Sequence, residues 1–207
     1  MALNPTGYAY GSEFPLHCQA MGMSMTLEED DVNVDGDDYH FYLFGAAAQR
    51  PYHKNRLEYG IEGGLMFSME NDTRLVEISS GPDGGTIKVE FENQMLLIDY
   101  FGGGYVGFCL TKRLRLYAGA GPLIVYGRRA FDPEKNEDES IKSEVESKLS
   151  AGFYGRTGIE FKITDNFMLG AGIRALTSGL KFKEPAGKIQ YEGIQYVFSI
   201  SYEITSF

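Results

Sequence analysis

The residues best suited to chemistry in this chain are oxygen donors and charged side chains, not nucleophiles. Asp31, Asn33, Asp35 and Gly36 read D-x-N-x-D-G, the opening of a calcium loop, and Asp37 follows. Short oxygen side chains two residues apart can converge on one hard cation, and the glycine permits the sharp turn such a loop needs. The twelfth position, where the pattern calls for a bidentate Glu, holds Tyr42. Two readings stay open: a Ca2+ site at Asp31, Asn33, Asp35 and Asp37, or a solvated acidic loop. A second set is Glu58, Glu62, Arg115, Arg156, Glu160, Arg174 and Glu203, each in the polar row of a segment whose other row is mostly apolar. Charges in such settings must find partners if the segments are buried. His17, His40 and His53 stand in no recognisable Ser/His/acid spacing, although triads are assembled in space and need no local motif. Cys18 and Cys109 have neither metal nor redox spacing and read as two unpaired thiols.

These charges are positioned by eight segments that alternate apolar and polar residues. In the clearest, Leu149, Ala151, Phe153, Thr157, Ile159, Phe161 and Ile163 share one face, and Ser150, Tyr154, Arg156, Glu160 and Lys162 the other. A period of two is a strand signal. Leu57, Tyr59, Ile61, Leu65, Phe67 and Met69 oppose Glu58, Glu62 and Ser68; Leu114, Leu116, Ala118, Ala120, Ile124 and Tyr126 oppose Arg115 and Tyr117. Tyr100, Val106 and Phe108 lie in the outer row of a strand whose inner row includes Asp99. Ile173 opposes Arg174 in the seventh segment, and Tyr196, Phe198 and Ile200 oppose Gln195, Ser199 and Ser201 in the last. In the first two, Leu16 to Leu27 and Tyr39 to Arg50, both rows are partly apolar and the inward phase is open.

In a soluble sandwich the apolar row would face a core. Here bulky charges on the opposite row would have to form the crowded interior of a closed cylinder, with the apolar row meeting lipid. The connections fit an up-and-down barrel. Tyr52 to Asn55, Thr111 to Arg113 and Thr164 to Asn166 are tight turns; Glu28 to Asp38, Glu70 to Glu92, Phe131 to Ser147 and Lys183 to Ile189 are loops. Outer-membrane barrels carry short periplasmic turns, long extracellular loops and periplasmic termini.

Outward aromatics recur eight residues apart in the pairs Tyr59 and Phe67, Tyr100 and Phe108, Phe153 and Phe161. Eight tilted strand residues rise on the order of 20 Å, close to the roughly 25 Å apolar band, so the pairs read as two aromatic girdles. A length of 207 residues suits a single barrel domain over 1–207, and 26 dispersed glycines can make room for Tyr105, Tyr117 and Tyr154 inside it. Gly102, Gly103 and Gly104 would allow a sharp bend. No export leader is visible; residues 1–14 read as a periplasmic tail or a vector-derived segment.

The eight-strand layout, the long second and third loops and the aromatic C-terminus resemble the small outer-membrane barrels of the OmpA and OmpX type. One departure is that Phe207 is out of step with Tyr202 and Ile204, which would need a bulge near Ser206. Within the second loop, Thr86 to Phe91 alternate as a strand, with Leu75 to Ser79 as partner across Gly81 to Gly85. Ile141, Val145 and Leu149 continue an outward row, with an amphipathic helix as the alternative. Paired protruding hairpins resemble the extracellular sheet of the OmpX type, which implies adhesion to a protein or other surface partner.

Seven acids in the first loop and seven in the third make up fourteen of the 29 acidic residues and dominate the net charge of −10. An acidic outer face disfavours nucleic acid and would repel lipopolysaccharide phosphates unless divalent cations bridge them. Expected partners are outer-membrane lipids, lipopolysaccharide and an extracellular partner, with Ca2+ as the one candidate cofactor. The chain is read as a non-enzyme with a structural or surface-interaction role. A narrow passive pore is the alternative and a lipid-modifying barrel enzyme a minor one. A lipocalin-like barrel would need an early Gly-x-Trp, and the chain has no Trp.

Overall fold

The computed structural model describes residues 15–27, 29–30, 39–80, 85–133, 144–182 and 188–204. Nine strands follow one another: β1 (Leu16–Leu27), β2 (Glu29–Asp30), β3 (Tyr39–Lys54), β4 (Leu57–Ser80), β5 (Gly85–Cys109), β6 (Leu114–Pro133), β7 (Glu144–Lys162), β8 (Phe167–Lys181) and β9 (Lys188–Ile204). The two-residue β2 pairs with the start of β9, and the other eight are all antiparallel to their neighbours in chain order. β1 also pairs with β9, from Leu16 opposite Ile204 to Met25 opposite Gln195, so the sheet closes into an eight-stranded barrel. Closure leaves no unpaired edge in that part of the sheet. Among the described residues no helix is long and apolar enough to cross a membrane, which has no bearing on crossing by strands.

The alternation in sequence becomes two faces. Tyr59, Ile61, Phe67, Tyr100, Phe108, Leu116, Phe153, Ile159, Phe161, Tyr196, Phe198 and Ile200 all point outward and are exposed. A soluble monomer rarely exposes an apolar surface of this extent. The two strands whose phase the pattern leaves open are settled by packing. His17, Gln19, Met21, Met23 and Met25 point inward from β1, and Phe41, Leu43, Ala47 and Gln49 from β3.

Thr111 and Thr164 shape two of the tight turns. The Thr111 hydroxyl oxygen accepts from the amides of Arg113 at 3.1 Å and Leu114 at 3.0 Å, and that of Thr164 from the Phe167 amide at 3.2 Å. The first turn is tighter than expected: β3 runs to Lys54, leaving Asn55 and Arg56 between strands. A register shift between Pro51 and His53 absorbs the difference, and Pro is tolerated at such a bulge because it owes no ladder hydrogen bond there.

Most of the expected second loop is strand. Ser79 faces Thr86 and Leu75 faces Glu90, the pairing expected across Gly81 to Gly85, although Gly85 already belongs to β5. β6 likewise continues to Pro133 and β7 starts at Glu144, so Val145 and Leu149 lie in a strand and not in a helix. Ile141, most of the first loop and Phe207 lie outside the described residues.

The three-glycine run has a steric reason. A Cβ at Gly103 would sit 2.1 Å from the Ala120 carbonyl oxygen, and one at Gly121 would sit 2.2 Å from that of Gly102. Register pairing between β5 and β6 pauses between Phe101–Leu123 and Gly104–Ala120, opposite Pro122. The two backbones pass too close there for any side chain.

Candidate functional site

The candidate site is the barrel interior, which is built in layers. Nearest the short turns, Arg115 from β6 is clamped by two carboxylates. It pairs with Glu160, directly opposite in register on β7, and donates to Glu58 on β4 at 2.6 Å and to the Gln49 side-chain oxygen at 3.0 Å. Tyr105 donates to Glu58 at 2.7 Å, while Gln19 and Ser201 each donate to Glu160 at 3.0 Å. Glu203 sits at the rim of this layer, 3.8 Å from His17.

One layer farther in, Arg156 reaches Glu62 through Nε and a terminal nitrogen, the shortest contact being 2.5 Å. Tyr154 and Gln49 donate to the same carboxylate at 2.9 and 2.8 Å, and Arg156 also donates to Gln19 at 3.1 Å. A Cβ at position 119 would lie 2.1 Å from a Glu62 oxygen, so the carboxylate occupies the space that Gly119 leaves open. Gly158 likewise makes room for the Tyr117 ring.

The third layer pairs Arg174 with Asp99 in a bidentate bridge of 2.6 and 2.9 Å, both side chains fully buried. Arg174 also donates to Gln195, whose amide donates to Tyr191, and Tyr191 donates to Asp99. Sequence counting sets Glu62, Arg156 and Arg174 at one height. Arg156 and Arg174 are indeed opposite one another across the β7–β8 ladder, a like-charge juxtaposition that is unfavourable alone. Each turns to a different acid across the barrel, with Phe101 between them: its ring centroid lies 5.6 Å from the Arg156 guanidinium and 4.8 Å from that of Arg174. Ring edges complete the packing, since Phe101 and Tyr154 meet at 4.9 Å and 65°.

Beyond these layers, toward the loops, the lumen is mainly apolar. Met25, Phe41, Leu43, Met66, Leu97, Leu123, Val125, Leu176, Leu180 and Phe182 are buried there, and Arg129 is buried at the same end. The Ser178 hydroxyl donates to the Tyr191 carbonyl and that of Ser150 to the Ser178 carbonyl, tying β7, β8 and β9 at this end. Among the described residues the interior is a filled core, ionic on one side and mainly apolar on the other.

The structure thus brings Glu58, Glu62, Arg115, Arg156, Glu160 and Arg174 into hydrogen-bonded layers, with Glu203 beside His17 at the rim, while Lys162 is half-buried at the turn end. Sequence reasoning left out Asp99 from the charged set, and with it Gln19, Gln49, Tyr154, Tyr191 and Gln195. Asp99 was legible in the inner row; its partner was not, because β5 and β8 are not neighbours. Tyr59, Phe67, Tyr100, Phe108, Phe153 and Phe161 point outward. Cys18 and Cys109 are free thiols. Asp31, Asn33, Asp35 and Asp37 lie outside the described residues.

No family model and no curated sequence relative matches the chain. Solved structures do. The attachment invasion locus protein Ail of Yersinia pestis, in complex with the heparin analogue sucrose octasulfate, is similar over 93% of this chain and 99% of its own, at 14% identity and a TM-score of 0.54. A major outer membrane protein from Thermus thermophilus is similar over 91% and 99%, at 10% identity and 0.51. The outer membrane protein OprG from Pseudomonas aeruginosa is similar over 94% and 97%, at 14% identity and 0.50. Closed antiparallel topology, an apolar exterior and a packed lumen therefore come together in the fold of the small eight-stranded outer-membrane β-barrels of the OmpA and OmpX type.

Proposed function

We propose that this chain is an outer-membrane barrel whose loop end engages a surface partner. The observation that carries the reading is a sheet longer than the barrel. Pairing between β3 and β4 ends at Phe44–Phe67, yet β4 and β5 remain paired from Met69–Leu96 out to Ser80–Gly85. β5 stays paired with β6 to Phe91–Pro133, and β6 with β7 to Phe131–Glu144. Four strands thus run on past the closed wall, and among the described residues the β3–β4 register stops at Phe67 while β4 itself continues to Ser80. A sheet that protrudes beyond the wall offers a surface and a strand edge to which an extended segment of another chain can add.

In this reading the outward rows face lipid, the six aromatics form the two girdles, the turns and termini are periplasmic and the extended sheet is extracellular. The acidic first and third loops favour a basic protein surface over a sulfated polyanion, the ligand class seen with Ail. Lipopolysaccharide is a partner only through bridging divalent cations, and Asp31, Asn33, Asp35 and Asp37 are the proposed Ca2+ ligands. No catalytic role is assigned. The pore alternative has no observation in its favour, since side chains fill the described lumen.

The decisive experiment replaces residues 72–93 with a two-residue turn and compares adhesion of expressing cells with wild type. Adhesion should fall to background while the barrel keeps its heat-dependent gel mobility. Undiminished adhesion by the shortened barrel would overturn the reading.

A further inference from the structure

We infer that the turn end carries a binding site for anionic phospholipid headgroups, formed by Arg56, Lys112 and Arg113. The inference rests on the membrane reading above but not on which side the turns face.

These residues belong to two neighbouring turns held together by backbone. The Cys109 amide donates to the Arg56 carbonyl at 2.8 Å, which fastens the β3–β4 turn to the end of β5, and the chain passes from there into Lys112 and Arg113. The Arg113 carbonyl in turn accepts from the Lys162 amide at 2.7 Å. Arg56, Lys112 and Arg113 are exposed. They stand directly below exposed apolar residues of the adjoining strand ends: Leu57 and Tyr59 on β4, Phe108 on β5 with Leu110 just past its end, and Leu116 on β6. The Arg56 guanidinium lies over the Phe108 ring, 5.3 Å from its centroid. That is how a snorkelling side chain is held, with its stem on the apolar belt and its charge at the headgroup level.

The nearby acids do not neutralise this sector. Glu58 and Glu160 are buried and engaged by Arg115, and Glu203 is buried beside His17. The exposed acid of the turn end, Asp165, sits on the β7–β8 turn. The acid-rich segments 28–38 and 132–146 join strands at the opposite end of the barrel. Three exposed cations below an apolar belt match a phosphodiester whose acyl chains lie along that belt, and each Lys or Arg near an anionic leaflet favours it.

The test uses the full chain, folded into phosphatidylcholine vesicles that carry a trace of spin-labelled phosphatidylglycerol or spin-labelled phosphatidylcholine. The motionally restricted fraction of each label reports contact with the barrel. Phosphatidylglycerol should be preferred by at least about twofold over the whole lipid boundary. The preference should shrink with added salt and vanish in R56Q/K112Q/R113Q, while the charge-keeping R56K/R113K retains it. Should the triple variant not fold, R113Q alone should weaken the preference. A barrel that floats with vesicles yet restricts both labels equally overturns this site alone. So does a preference that the triple variant keeps. Loss of the preference in inorganic phosphate, but not in chloride of equal ionic strength, assigns the cluster to free phosphate and overturns the lipid assignment. A barrel that fails to float with vesicles overturns the membrane reading, and this site with it.

Discussion

The two halves of the lumen are filled in opposite ways. On the turn side Arg115, Arg156 and Arg174 are neutralised by Glu58, Glu160, Glu62 and Asp99, and every one of these side chains is buried. On the loop side the same inward positions carry mostly Met, Leu, Val and Phe. Both fillings close the barrel, but they fail differently. An apolar core loses stability gradually as atoms are removed, because neighbours relax into part of the space. An ionic core loses it abruptly, because a stranded charge cannot relax into a low-dielectric interior. The ionic half is also specific, since each guanidinium accepts only particular partners at particular heights. It therefore acts as a register lock across non-adjacent strands, while the apolar half acts as a seal.

The largest effect should come from breaking one buried pair. Arg174→Met leaves Asp99 without its guanidinium, and Arg156→Met does the same to Glu62; each should cost about 3–5 kcal/mol in urea unfolding from lipid vesicles. The sharper form is the double variant Glu62→Gln with Arg156→Met, which should recover at least half of the loss. If the double variant is as unstable as the single, stranded charge is not the cause and the contrast between the halves collapses.

Truncation in the apolar half should cost somewhat less. Leu123→Ala or Leu97→Ala should lose roughly 2–4 kcal/mol, scaling with the cavity left behind. Its signature is that no second substitution of a charged residue rescues it. Equal rescue in both halves would merge them into one mechanism.

A smaller effect is expected where the two strands touch. Gly121→Ala forces a methyl against the Gly102 carbonyl, and a backbone shift of this kind should cost about 1–3 kcal/mol. Because β5 and β6 carry members of both halves, the shift should weaken each modestly, readable as a lower urea midpoint with an unchanged slope.

The smallest expected signal is conductance. With both halves packed, planar-bilayer recordings of wild type should show no steady open level, and neither Leu123→Ala nor Arg174→Met alone should create one. A reproducible open level in either variant would mean that its half alone is the barrier to ions.

The strand phases illustrate where sequence reasoning holds. Glu58, Glu62, Arg156, Glu160 and Arg174 declare their inward direction because they alternate with rows that are mostly apolar and so leave them the other face. Met21, Met23 and Met25 do not, because they are interleaved with Ala20, Gly22 and Ser24, residues compatible with either side. Packing against Phe41 and Leu43 decides it. The second loop divides the same way: Thr86 to Phe91 alternate and read as a strand, whereas Glu70 to Arg74 are polar at both parities and only their pairing with β5 places them in β4.

Local pattern alone determines the number of strands, the outward rows, the tight turns and the inward direction of most charges, because a strand's two faces are fixed by a period of two and by nothing distant. Partnership is another matter. Arg156 could have met any acid of similar height; that it takes Glu62, and that Arg174 takes Asp99 on a strand three places away around the sheet, depends on how far the strands are staggered when the sheet closes. Stagger is a property of the whole cylinder. It sums every register between the first strand and the last, and no single segment contains it.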